Sequence, residues 1–154
     1  MTCNPQRHFS ILKDILTASQ LASRHIKHAF STPSSASFLS TKQNSTDLVT
    51  ETDQNVEKVI FGYLKEKYPV ESYKYIGEET QSSTSSGYSL TKEGTFIVDP
   101  VDGTTNFVHR NDNIAISIAY FEGGEPQVAV CVNPIRDDTY WAIKGMGTFK
   151  NGLP

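Results

Sequence analysis

The stretch that most restricts how this chain can fold is Phe96-Ile97-Val98 followed at once by Asp99-Pro100-Val101-Asp102-Gly103-Thr104-Thr105. Three apolar residues, two of them β-branched, read as a buried strand. Pro100 has no N–H to give a ladder, so the strand is expected to stop at Asp99. Asp102-Gly103 signals a tight turn, and Thr104 and Thr105 suit the cap of a helical turn after it. A strand end, a bend and a helix start would draw Asp99, Asp102 and the Val101 carbonyl towards one point. Gly103 and Thr104 would offer backbone N–H groups to an anion beside them. Hard oxygens next to an anion hole are what Mg²⁺ and a phosphate require. The same residues also fit a polar turn with two solvated acids, and so short a stretch does not choose between the two.

The surrounding chain sets limits on that choice. Its 154 residues are enough for one domain with a core, and residues 1–154 read as a single unit. A formal charge of −3 gives no footprint for nucleic acid or an anionic membrane surface. No apolar run approaches transmembrane length, and Met1-Thr2-Cys3-Asn4-Pro5 carries no secretory apolar segment. Cys3 and Cys131 are far apart and read as free thiols in a reducing compartment, which implies a cytoplasmic protein.

Phe9, Leu12, Ile15, Leu16, Leu21, Ala22, Ile26 and Phe30 keep a helical period, so a helix is expected from about His8 to Phe30 and stops before Pro33. His25 and His28 fall on it with no third ligand nearby and read as solvated positions. Ser31 to Thr46 reads as a polar loop with a short strand near Phe38-Leu39. A second helix is expected from Thr52-Asp53 to Lys67, with Val56, Val59, Ile60, Tyr63 and Leu64 on one face. Asp53 would then lie in its first turn, where a negative side chain suits the helix dipole. Tyr73 to Ile76 reads as a strand ending in Gly77-Glu78-Glu79, and Gln81 to Gly94 as a Ser-rich loop. The adjacent carboxylates of Glu78 and Glu79 repel, and a cation would give one of them a reason to point inward. After the motif, Ile114, Ile116 and Ile118 alternate with small residues, and turn signals separate strands at 127–132, 139–143 and from 148. Two helices followed by a largely antiparallel meander give an α+β layout. The turn signal Asn151-Gly152 has no return strand after it, so the last strands would carry an uncovered face.

Three separated segments resemble the inositol monophosphatase family of Mg²⁺-dependent, lithium-sensitive phosphatases. They are Asp47-Leu48-Val49-Thr50-Glu51-Thr52-Asp53, Ile76-Gly77-Glu78-Glu79, and Val98 through Thr104-Thr105-Asn106-Phe107-Val108-His109-Arg110. The resemblance implies the N-terminal half of an alternating α/β/α/β/α layered sandwich, two helices on a largely antiparallel sheet, usually in a homodimer. It implies Glu78, Asp99 and the Val101 carbonyl as ligands of a first Mg²⁺. Asp99 would bridge to a second metal that Asp102 also holds. Asp53 and Thr104 would orient and deprotonate the attacking water, while Gly103, Thr104 and Asp102 would hold the substrate phosphate. Lys42 falls where the family often has a basic residue near the site. The implied partner is a small phosphorylated substrate such as an inositol monophosphate, with no nucleic acid and no membrane.

Two departures stand out. The family's second half carries a Trp-Asp-x-Ala-Gly segment, whereas the only tryptophan here, Trp141, precedes Ala142, so the chain reads as the N-terminal portion of such an enzyme. After Arg110 the family has an aromatic-Pro pair, and Asn111-Asp112-Asn113 stands in its place. Two alternatives remain open at this stage. One is a truncated chain that binds metal or a sister subunit without turnover. The other is a haloacid-dehalogenase-type phosphatase with an aspartyl nucleophile, although its Asp-x-Asp spacing is one residue shorter than the spacing here.

Overall fold

The structure, a computed structural model, describes residues 5–32, 43–81 and 92–153. The elements run in the order α1 (Pro5–Ser31), α2 (Gln43–Lys67), β1 (Tyr73–Gly77), α3 (Glu78–Gln81), β2 (Gly94–Asp102), α4 (Thr104–Val108), β3 (Ala115–Glu122), β4 (Glu125–Asn133), β5 (Asp138–Ile143) and β6 (Gly147–Lys150). The six strands form one sheet in sequence order. β1 is parallel to β2 and every later pair is antiparallel. This is the expected α+β layout, with helices packed on one face of a mixed sheet.

Period decides which face is covered. Phe96, Val98, Ile116, Ile118, Tyr120, Val128, Val130, Val132 and Ile143 alternate along their strands and are all buried. They meet Ile11, Ile15, Ala18, Ala22 and Ile26 of α1 and Val56, Ile60 and Leu64 of α2, which repeat every three or four residues. α1 lies over β3–β5 and α2 over β2. At one end of the sheet Tyr68, Tyr73, Tyr75, Phe96 and Tyr120 interlock with ring centroids 5.1–6.5 Å apart. The other sheet face, with Ile97, Ser117, Ala119 and Cys131, is only half-buried. Among the described residues no helix is long and apolar enough to cross a membrane.

Three sequence expectations need correction. α2 begins at Gln43 rather than Thr52, so residues 43–46 are helical and not loop. Asp53 therefore stands well inside the helix and is 6% exposed, which removes its first-turn, dipole role. The polar run Gln43–Asp47 hides the early turns because it shows no apolar period, yet Val49 and Thr52 are buried by packing. Second, β2 does not stop at Asp99 but continues to Asp102. Asp99 pairs with Ser117 and Asp102 with Ala115, so one extra residue is accommodated in a bulge that contains Pro100 and Val101. Pro100 sits where the ladder is already interrupted, which is how a strand tolerates proline. Third, neither Thr104 nor Thr105 caps α4. Gly103 occupies the cap position with φ 89° and no side-chain cap bond. The expected strand near Phe38-Leu39 and the basic residue Lys42 lie outside the described residues.

Candidate active site

The bulge at Pro100-Val101 ends β2 beside the point where β1 runs into α3. β1 pairs with β2 only as far as Gly77 with Val98. Beyond that register Asp99 emerges next to Glu78, the first residue of α3. Glu78 raises the pKa of Asp99 through its charge and a hydrogen-bonding contact between the two carboxyls, after the larger effect of burial. The Asp102 charge adds to this, while the Val101 N–H opposes it, and Asp99 is pushed up to about 7. Asp53 reaches the same region from α2. Burial first, then the charges of Glu79, Glu78, Asp99 and Glu57, push its carboxyl up to about 7 as well. Six acidic residues thus interact electrostatically at one end of the β1–β2 pair.

The turn after β2 is built around Gly103. Its φ of 89° is left-handed, and an added Cβ would lie 2.8 Å from the Asn113 carbonyl oxygen. Only glycine meets both demands without strain. The Thr104 hydroxyl donates to the Val101 carbonyl at 3.2 Å, and Phe107 N–H donates to the Gly103 carbonyl at 3.0 Å. The first N–H groups of a helical turn have no partner within the helix, so those of Thr104 and Thr105 must find theirs outside α4. Arg110, at φ 56°, reaches back from the end of this motif and donates to the carbonyls of Ala29, Phe30 and Thr32 at the end of α1. The departing segment Asn111-Asp112-Asn113 is fixed at both ends. Asn106 Nδ2 donates to the Asn113 carbonyl at 2.7 Å, and Arg136 makes a two-pronged ion pair with Asp112 at 2.7 and 3.0 Å. That pairing holds the Asp112 carboxyl below the usual carboxylate range.

A cleft of about 500 Å³ opens on the half-buried sheet face. Glu78, Asp99 and Ser117 line it together with Ile76, Ile97 and Ala119. Its size suits a small ligand. Cys131 lies one strand further along, paired with Ser117, and burial, then Asp102 and Asp99, raises its thiol pKa.

Whether these residues suit a divalent cation is decided by two atoms. Asp53 Oδ1 and Asp99 Oδ1 are buried and accept no hydrogen bond from the described residues. A buried carboxylate oxygen without a partner is costly in a protein interior, and a hard cation is the partner an all-oxygen donor set is suited to take. The donor chemistry therefore fits Mg²⁺. Among the described residues, no three His, Cys, Asp or Glu side chains stand close enough together to enclose an ion as placed. The close pair is Asp99 with Glu78. Asp102 is exposed, and His25 and His28 are exposed on α1.

The inositol monophosphatase family model matches residues 10–154. The chain belongs to the inositol monophosphatase family. Inositol monophosphatase 1 of Solanum lycopersicum is 49% identical over 108 residues, covering 70% of this chain and 38% of the tomato protein. Inositol monophosphatase-II from Staphylococcus aureus MSSA476 superposes with a TM-score of 0.77 at 30% identity, over 94% of this chain and 50% of that one. An inositol monophosphate-bound SaIMPase-II gives 0.71 at 28% identity, over 94% and 48%. The chain thus spans about half the length of these solved inositol monophosphatases and less of the tomato relative. Family membership leaves the haloacid-dehalogenase alternative without support.

One residue of the site escaped sequence reasoning. Glu57 follows Asp53 by one helical turn, is 4% exposed, and accepts bonds from the N–H groups of Glu79 and Thr80 at 3.0 and 3.1 Å. In sequence it is an unremarkable Glu-Lys pair on a helix. The available signal was its position four residues after Asp53, which puts both carboxylates on one face.

Proposed function

We propose that this chain carries the metal- and phosphate-binding part of an enzyme that hydrolyses inositol monophosphate, or a similar small phosphate monoester, with Mg²⁺ and water. The observation that carries the reading is the pair of buried, unpartnered oxygens, Asp53 Oδ1 and Asp99 Oδ1, in a carboxylate cluster beside a small-ligand cleft. Glu78, Asp99, Asp102 and the Val101 carbonyl are the proposed oxygen donors. Mg²⁺ bound there would neutralise phosphate charge and acidify water. Asp53 and Thr104 are assigned to the attacking water. The Thr104 hydroxyl donates to the Val101 carbonyl, which leaves its lone pairs to accept from that water. Burial and the neighbouring acids raise the Asp53 carboxyl to about 7, so its ionised form is a stronger base than an ordinary carboxylate and is the form that takes a proton from the same water. Gly103 and Thr104 N–H groups, with Asp102 alongside, are assigned to the phosphate. Water attacks phosphorus, the ester oxygen leaves as the alcohol, and inorganic phosphate remains. The family resemblance extends the proposal to a lithium-sensitive homodimer in the cytoplasm.

The test is calorimetric titration of the chain with Mg²⁺ followed by inositol monophosphate. The expected result is Mg²⁺ binding that Asp99→Asn weakens more than Glu79→Gln, and binding of the phosphate only with metal present. Equal losses in the two variants, or phosphate binding indifferent to Mg²⁺, would refute the assignment.

A further inference from the structure

The turn that bears Glu78 is held from α2 by one buried acid. Glu57 is 4% exposed and its carboxylate accepts from Glu79 N–H, Thr80 N–H and the Thr80 hydroxyl. All three donors belong to residues directly after Glu78, and none is a basic side chain. Gly77, directly before Glu78, is shaped to admit this carboxylate, since an added Cβ would lie 2.2 Å from Glu57 Oε2 and 2.4 Å from its carboxyl carbon. The residues on both sides of Glu78 therefore conform to Glu57. Asp53 lies on the same face of α2, one turn earlier, about 6 Å along the axis.

We infer that Glu57 is a positioning residue, which locks the Gly77–Thr80 turn onto α2 so that Glu78 and Asp53 hold a fixed separation across the site. The inference rests on the proposed role of Glu78 as a metal ligand. Capping alone does not call for this residue. A buried anion is expensive, and its charge adds to that of five acids already in mutual repulsion, raising both Asp53 and Glu79. A neutral acceptor such as glutamine would satisfy an ordinary helix start. A carboxylate supplies two oxygens to three donors at once, with no donor of its own to misplace, and so fixes the turn in one orientation.

The experiment uses Mn²⁺ as the probe with the full 154-residue chain, and compares wild type, Glu57→Gln, Gly77→Ala and the core control Ile15→Val by titration calorimetry. Gly77→Ala keeps the Glu57 charge and displaces its carboxylate, so it separates position from charge. Loss of an outer group that orients a ligand typically weakens metal affinity by about 10- to 100-fold. Losses on that scale are expected for Glu57→Gln and Gly77→Ala, with none for Ile15→Val. In parallel, amide hydrogen exchange on metal-free protein should show Glu79 and Thr80 exchanging faster in Glu57→Gln. A loss in Glu57→Gln but not in Gly77→Ala would overturn the inference, because charge rather than position would then account for the effect. An equal loss in Ile15→Val would overturn it too, by assigning the effect to general stability. If wild type binds no Mn²⁺, the metal reading fails by itself. The exchange arm then decides the inference: wild-type rates at Glu79 and Thr80 in Glu57→Gln refute it, and selective acceleration there upholds the lock.

Discussion

Replacing Gly103 with alanine tests whether the motif turn is as tightly built as its geometry indicates. The residue sits at φ 89°, ψ 38°, where an L-residue pays about 1–2 kcal/mol. Stiffening the unfolded chain returns roughly 0.4–1 kcal/mol of that. The second contribution is contact: the new Cβ falls 2.8 Å from the Asn113 carbonyl oxygen and 3.5 Å from Ile114 Cα, both backbone atoms. Asn113 cannot withdraw freely, because Asn106 Nδ2 donates to that same carbonyl at 2.7 Å. Breaking the bond adds about 1 kcal/mol, giving a net loss of about 2 kcal/mol. A chain of this size would lose roughly 4–8 °C in Tm for that change. Gly145 provides the comparison, since its φ is 81° and nothing lies within 4 Å of an added Cβ. Urea denaturation of Gly103→Ala and Gly145→Ala should therefore show the first losing at least 1 kcal/mol more than the second. Equal losses would refute the close-approach argument and leave only the conformational cost.

Three further outcomes follow from the same structure. Asp53, held up to about 7, keeps its proton in the folded protein at pH values where the unfolded chain has lost it. Its contribution to metal-free stability is full below the ordinary carboxylate pKa and disappears as pH rises through about 7, so wild type should lose more stability between pH 4 and 8 than Asp53→Asn does, as measured by denaturation in chelator. Arg110→Ala removes three donors from the end of α1 and should cost about 1–2 kcal/mol, which Arg110→Lys recovers only in part because an ammonium cannot span three carbonyls; thermal melts check it. Arg136→Ala frees Asp112 and should bring its carboxyl back towards the ordinary value, seen by NMR titration of the side-chain carboxyl.

Much of this was legible in the residues, for reasons that differ by element. The long first helix and the strands after residue 114 announce themselves because each buries one face, and a single buried face leaves a period in the sequence. The tight turn after β2 was legible because Asp102-Gly103 marks it and Gly103 takes the left-handed conformation there, whereas Pro100 did not end the strand and neither threonine caps α4. The early part of α2 was not legible, since Gln43 to Asp47 is polar and its helical state is imposed through packing of Val49, Thr52 and Asp53. The continuation of β2 through Pro100 was equally hidden, because a bulge depends on the partner strand and not on the strand itself. Glu57 was the most consequential omission. A helical Glu followed by Lys is ordinarily solvated, and only the arrival of Gly77 against α2 turns it into a buried acceptor.

The central claim, that the end of the β1–β2 pair is a divalent-cation site, is tested most directly by anomalous diffraction from crystals of the chain soaked in Mn²⁺. The account predicts an anomalous peak bounded by Glu78, Asp99 and the Val101 carbonyl, within about 2.5 Å of Asp99 oxygen. No peak there, or a peak only on the α1 face at His25 and His28, would contradict it.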